Sequence, residues 1–110
     1  AGREEGKELT VKLALNLAMA RLKAGPDDMH AAVADCSLAL SLSPNNIKAL
    51  FRRAQANLRR GELAAAQADL QALLQVESDH KEAQLELKKV EAAQVKARKA
   101  EKSMCAKMFG

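Results

Sequence analysis

The residues that could do chemistry stand at helical spacing. Lys48, Arg52 and Gln55 lie at i, i+4 and i+7 and share one helix face, and Lys12, Asn16, Met19 and Lys23 do the same further upstream. Cations and amides gathered on one face are rich in donors and poor in acceptors, so their natural partner is a carboxylate. Arg and Lys together hold both of its oxygens through charge-assisted hydrogen bonds. Other chemistries find no support. His30 and Cys36 do not share a helix face, and no third polar group orients the imidazole. His80 falls in an expected turn. No Ser-His-Asp arrangement, metal-ligand spacing or glycine-rich phosphate loop can be assembled, so the expectation is no catalytic residue, no metal and no cofactor.

Helices must carry these residues. The 110 residues are 48% hydrophobic but only 2% aromatic, and alanine and leucine supply most of the apolar content. Thr10, Val11, Val33, Ile47, Val76, Val90 and Val95 are the whole β-branched inventory, too few and too scattered for strands. Breakers and periodicity divide the chain into five helices. The first runs from Glu8 to about Lys23 with Leu9, Leu13, Leu17 and Ala20 as its apolar residues. Gly25-Pro26-Asp27-Asp28 ends it, and an Asp is expected to cap the second, which reaches about Leu42 with Ala32, Val33, Cys36, Ala39 and Leu40 on one face. Asn45 or Asn46 caps a third helix to about Arg60. Gly61 turns the chain into a fourth, about Glu62 to Val76, and Ser78-Asp79 opens a long last helix reaching about Met108.

These pieces repeat. Superposing Asn16 on Arg52 aligns a unit over 11–46 with a unit over 47–80, and the second has the 34-residue period of the tetratricopeptide repeat (TPR). Ala18 and Ala54, and Ala32 and Ala66, put small residues where paired helices approach closely. Arg21 and Asn57 stand where Tyr is usual, and Arg53, Leu73 and Ser78 depart from consensus. The expected fold is all-α: TPR helix-turn-helix repeats forming a right-handed superhelical array, with residues 81–110 as an extended basic helix that caps it through Ala83, Leu87 and Val90. Residues 1–10 read as a lead-in. Three units are usual for a stable array, so a further repeat is expected upstream. Without one, Leu9 and Leu13 lie exposed, and self-association through that end is expected. The first helices of such units line the groove, which turns Lys12, Asn16, Met19, Lys23, Lys48, Arg52 and Gln55 into candidate groove residues.

Charge is unevenly spread. The net charge is +4, yet residues 88–110 alone carry +5, which leaves the rest at −1. The basic tail pairs Lys96, Arg98, Lys99, Lys102 and Lys107 with Met104, Met108 and Phe109, a pattern that suits a calmodulin groove or an anionic surface. Its thin apolar stripe suits a solvated extension of the capping helix better. Without Trp or Tyr there is no base-stacking platform, and no apolar run has membrane-spanning length, so neither nucleic acid nor membrane is an expected partner. Two unclustered cysteines, Cys36 on a core-facing position, read as free thiols of a reducing cytoplasm.

The segments Leu15-Asn16-Leu17-Ala18 and Asn45-Asn46-Ile47-Lys48-Ala49-Leu50-Phe51-Arg52-Arg53-Ala54-Gln55 resemble the TPR domains of immunophilin co-chaperones. In that family a prolyl isomerase domain, cyclophilin-type or FK506-binding-type, precedes three TPR units. The likeness to the large cyclophilins is the closer one, through Lys48–Gln55, Leu85–Val90 and Ala106–Phe109, although Cys105 replaces a usual Tyr. The resemblance implies a carboxylate clamp for the C-terminal Met-Glu-Glu-Val-Asp of heat-shock protein 90, with the tail of heat-shock protein 70 as a second ligand of the same kind. Asn16 matches the second-unit Asn of the clamp, and Lys48 and Arg52 match the third-unit pair. The first-unit Lys and Asn have no counterpart here. The family also implies calmodulin binding around the basic tail.

Overall fold

In the computed structural model, which describes residues 2–109 and the surroundings of side chains 3–108, the regular structure is helical. The helices are α1 (Gly2–Ala24), α2 (Met29–Leu42), α3 (Ile47–Arg59), α4 (Leu63–Val76) and α5 (Lys81–Phe109), with a 3-10 turn at Pro26–Asp28. α1 pairs with α2 and α3 with α4 as antiparallel hairpins. α2 packs on α3, and α4 on α5, giving the consecutive stacking of a TPR array. Gly61 makes its turn at φ 78°, a left-handed conformation that favours glycine.

Alanines let the helices approach. Ala18, Ala32, Ala54 and Ala66 are all buried, as their repeat positions require. The largest apolar cluster joins Leu50 and Ala54 of α3, Ala66, Leu70 and Leu73 of α4, and Ala83 and Val90 of α5, with Leu87 packed against it. The long helix thus caps the second hairpin through the residues expected to do so. Smaller clusters link α1 to α2 and α3: Ala14, Leu15, Ala39 and Ala49 at one level, and Leu22, Met29, Ala32 and Ala56 at the other.

Four local expectations need correction. α1 starts at Gly2, well ahead of Glu8, so residues 2–10 are helical. Its buried face is Ala14, Leu15, Ala18 and Leu22; Leu17, at 50%, and Ala20 are exposed, and Leu9 and Leu13, at 58% and 54%, are exposed as expected where no further unit covers them. α1 has two apolar faces, and α2 and α3 cover only one of them. Asp28 precedes α2 without a side-chain cap bond. α5 opens at Lys81, capped by His80, whose Nδ1 accepts from the Ala83 N–H at 3.0 Å. Asn46 does cap α3, accepting from the Ala49 N–H at 3.0 Å.

Candidate functional site

The first helices of the two hairpins, α1 and α3, lie side by side. Arg52 Nη1 donates to the Leu15 carbonyl at 2.9 Å, and Arg59 Nη1 donates to the Leu22 carbonyl at 2.6 Å. A step of seven on α3 meets a step of seven on α1, so the two helices run parallel and in register. The Leu15 carbonyl lies mid-helix, where the arginine adds a second bond to an acceptor with two lone pairs. The Leu22 carbonyl lies in the last turn of α1, where the residue four on is Pro26 with no N–H, and Arg59 supplies its bond. The bonds hold each guanidinium at the seam; Arg59 Nη1 also reaches Met29 Sδ at 3.9 Å, and the remaining N–H groups of both arginines are free of side-chain partners among the described residues.

Along this seam runs a cleft of about 360 Å³. Met19, Leu22 and Lys23 line it from α1, Lys48, Phe51, Arg52, Gln55 and Arg59 from α3, and His80 and Glu82 from the head of α5. The His80 ring lies 5.7 Å from that of Phe51, so the capping helix also shapes the floor. The charge balance is one-sided: Lys23, Lys48, Arg52 and Arg59 face a single carboxylate, Glu82. None of the four cations forms an ion pair among the described residues. A second cleft of about 580 Å³ adjoins it through Lys48, between Glu4, Lys7, Glu8, Val11 and Lys12 of α1 and the α2–α3 junction.

Lys48, Arg52, Gln55, Met19 and Lys23 therefore meet in one cleft, and Lys12 meets Lys48 in the other. Asn16 is exposed on α1 and lines neither. Arg59, Phe51 and His80 belong to the site and escaped the sequence reading. For Arg59 the signal was present: it stands seven residues after Arg52, at the repeat position of Lys23. The tail candidates Lys96, Arg98, Lys99, Lys102, Met104, Lys107 and Met108 all lie exposed on α5, away from the cleft; the side chain of Phe109 lies outside the described ones.

On the opposite side of α3, Arg53 grips Asp69 with two bonds, Nε to Oδ2 at 2.8 Å and Nη2 to Oδ1 at 2.7 Å, and reaches Ser37 Oγ at 3.2 Å. This pair raises the Arg53 pKa, chiefly through its hydrogen bond to Asp69. Cys36 is fully buried, and burial pushes its thiol up to about 11, so it stays a packed apolar group at neutral pH. Cys105 is free and exposed on α5. Among the described residues no group of His, Cys, Asp or Glu could hold a metal ion, and no helix is long and apolar enough to cross a membrane.

No family model matches the chain. It is 37% identical over 106 residues to the peptidyl-prolyl cis-trans isomerase FKBP4 of Bos taurus and 34% identical over 106 residues to FK506-binding protein 59 of Drosophila melanogaster. Each match covers 96% of the chain. A shorter match, 45% over 60 residues, links 54% of the chain to 7% of sperm-associated antigen 1 of Mus musculus. The helix-turn-helix array is an all-α TPR fold, and nearly the whole chain is similar to one stretch of FKBP4 and of FK506-binding protein 59. It spans about a quarter of the length of the first two relatives, 23% and 24%. The TPR domain is a protein-interaction module, and both relatives are of the FK506-binding kind.

Proposed function

We propose that this TPR domain docks the C-terminal acidic peptide of a chaperone, of the Met-Glu-Glu-Val-Asp type carried by heat-shock protein 90. The observation that carries the reading is the unpaired cationic cleft in which Lys48 and Arg52 stand one helical turn apart. Arg52, tethered to the Leu15 carbonyl, meets the terminal carboxylate preoriented, and Lys48 supplies a second charge. Asn16 donates from α1 once the peptide lies over the seam. The parent protein is a co-chaperone whose isomerase domain, of cyclophilin or FK506-binding type, lies outside this chain, in the cytoplasm. A preceding TPR unit would complete the clamp with its Lys and Asn and cover Leu9, Leu13 and Leu17. Absent that unit, the same leucines seat a second copy of the chain.

Isothermal titration of the pentapeptide tests the docking. Arg52→Ala is expected to weaken binding by about 2 kcal/mol, roughly thirtyfold, and amidation of the peptide's terminal carboxylate by a similar factor. Equal affinities for the free and amidated peptides would remove the clamp. A second reading is favoured by one feature of α5: beyond Gln94, whose Nε2 donates to Gln67 Oε1 at 3.0 Å, the described side chains are all exposed. Met104 and Met108, 65% and 76% exposed among lysines, suit a calmodulin groove.

A further inference from the structure

The cleft continues past the clamp. Lys23 and Arg59 occupy the same repeat position on α1 and α3, as Asn16 and Arg52 do seven residues earlier. Arg59 is held by the same bond as Arg52, from Nη1 to a carbonyl of α1. Two positions along the seam therefore carry polar side chains: Arg52, whose α1 counterpart Asn16 stands exposed outside the cleft, and one step on a second row, Lys23 with Arg59, which both line it. We infer that the second row, Lys23 and Arg59, reads an acidic side chain of the docked peptide three positions before its C-terminal residue. This rests on the docking proposed above.

Spacing fixes the position. Seven helical residues advance about 10.5 Å along α3. An extended peptide covers about 3.3–3.6 Å per residue, so a chain anchored by its terminal carboxylate at Arg52 brings its third preceding residue level with Arg59. Met19, Leu22 and Phe51 line the same cleft and give the intervening residues an apolar wall. Charge sets the chemistry of the residue read. Among the described residues Lys23 and Arg59 have no ion-pair partner and Glu82 is the only carboxylate lining the cleft, so an anion there meets net positive charge. Arg59 is a specificity-determining residue of this site, distinct from the terminal clamp.

Titration of the 110-residue chain with Met-Glu-Glu-Val-Asp, Met-Gln-Glu-Val-Asp and Met-Glu-Gln-Val-Asp tests the assignment. Exchanging the first Glu is expected to weaken binding by about five- to tenfold, and exchanging the second by less than about twofold. In Arg59→Gln and in Lys23→Gln the first penalty shrinks to about twofold or less, whereas Arg52→Ala weakens all three peptides alike. The peptide exchanges use the unaltered protein, and the exposed Lys23 supplies a variant that spares the Arg59 bond to α1, so the result stands even where Arg59→Gln loosens the fold. Equal binding of the first two peptides, or a penalty undiminished in Lys23→Gln and in a folded Arg59→Gln, overturns the second row and leaves carboxylate docking intact. Binding indifferent to amidation of the terminus overturns the docking, and the second row falls with it.

Discussion

The two hairpins follow one plan and differ in their neighbours. The α3–α4 hairpin is covered on one side by α2 and on the other by α5, and Leu70 and Leu73 are fully buried within it. The α1–α2 hairpin is covered by α3 alone among the described residues. The consequence shows at equivalent positions of the first helices. Ala49 packs with Ala14, Leu15 and Ala39, and Arg53 bonds Ser37 of α2. Their counterparts on α1, Leu13 and Leu17, are exposed. In a repeat array the same helix face is core or surface according to the next unit, so stability is a property of interfaces more than of units.

Truncating one leucine in each environment is the severest test of that difference. Leu73→Ala is expected to cost about 2–5 kcal/mol in urea denaturation, because the cavity it leaves is enclosed by α3 and α5. Leu13→Ala should stay within about 0.5 kcal/mol. A large loss at Leu13 would mean that its face is covered in solution. The next contrast lies in two repeat-equivalent carboxylates. Asp69 takes two bonds from Arg53, with side chains only 8% and 27% exposed, whereas Asp35 takes a single 2.7 Å bond from Arg21, at 18% and 35%. Asp69→Ala strands a guanidinium at a packed seam and should cost about 3 kcal/mol. Asp35→Ala leaves Arg21 able to reach water and should cost about 1 kcal/mol. Similar losses at both sites would erase the distinction between the hairpins.

Much of this architecture was legible because alanine patterning and breakers are local signals. Ala18, Ala32, Ala54 and Ala66 announce close helix approaches, and Gly61 and Asn46 mark boundaries by their own backbone chemistry. Lys48, Arg52 and Gln55 share a face for the same reason, since helical spacing alone decides it. The face that α1 buries was not legible. Leu9-Leu13-Leu17 and Ala14-Leu15-Ala18-Leu22 are both apolar at helical spacing, and only the position of α2 and α3 chooses between them. Arg59 was overlooked because its role depends on a carbonyl of α1 that is distant in sequence, and His80 because a histidine caps a helix only when its ring is already fixed, here beside Phe51.

The smallest effect concerns the second helix of the first hairpin against the first helix of the second, through their caps. Asn46 has extended backbone, φ −68° and ψ 112°, which turns its side chain back onto the Ala49 N–H. Asp28 sits at φ −95° and ψ 5°, because the 3-10 turn runs straight into α2 and the Met29 N–H is already bonded to the Pro26 carbonyl. A residue that continues a helical turn cannot swing its carboxylate beneath the first turn, whatever its capping propensity. Asn46→Ala is therefore expected to cost about 1 kcal/mol, and Asp28→Ala about 0.5 kcal/mol or less, the remainder of a carboxylate near a helix N-terminus. Urea midpoints at low and high salt separate the two: the Asn46 loss is a hydrogen bond and persists in salt, whereas the Asp28 loss is charge alone and fades as the salt concentration rises. An Asp28 loss as large as that at Asn46 and insensitive to salt would mean that the carboxylate caps α2 in solution, and the two helix starts would then be equivalent.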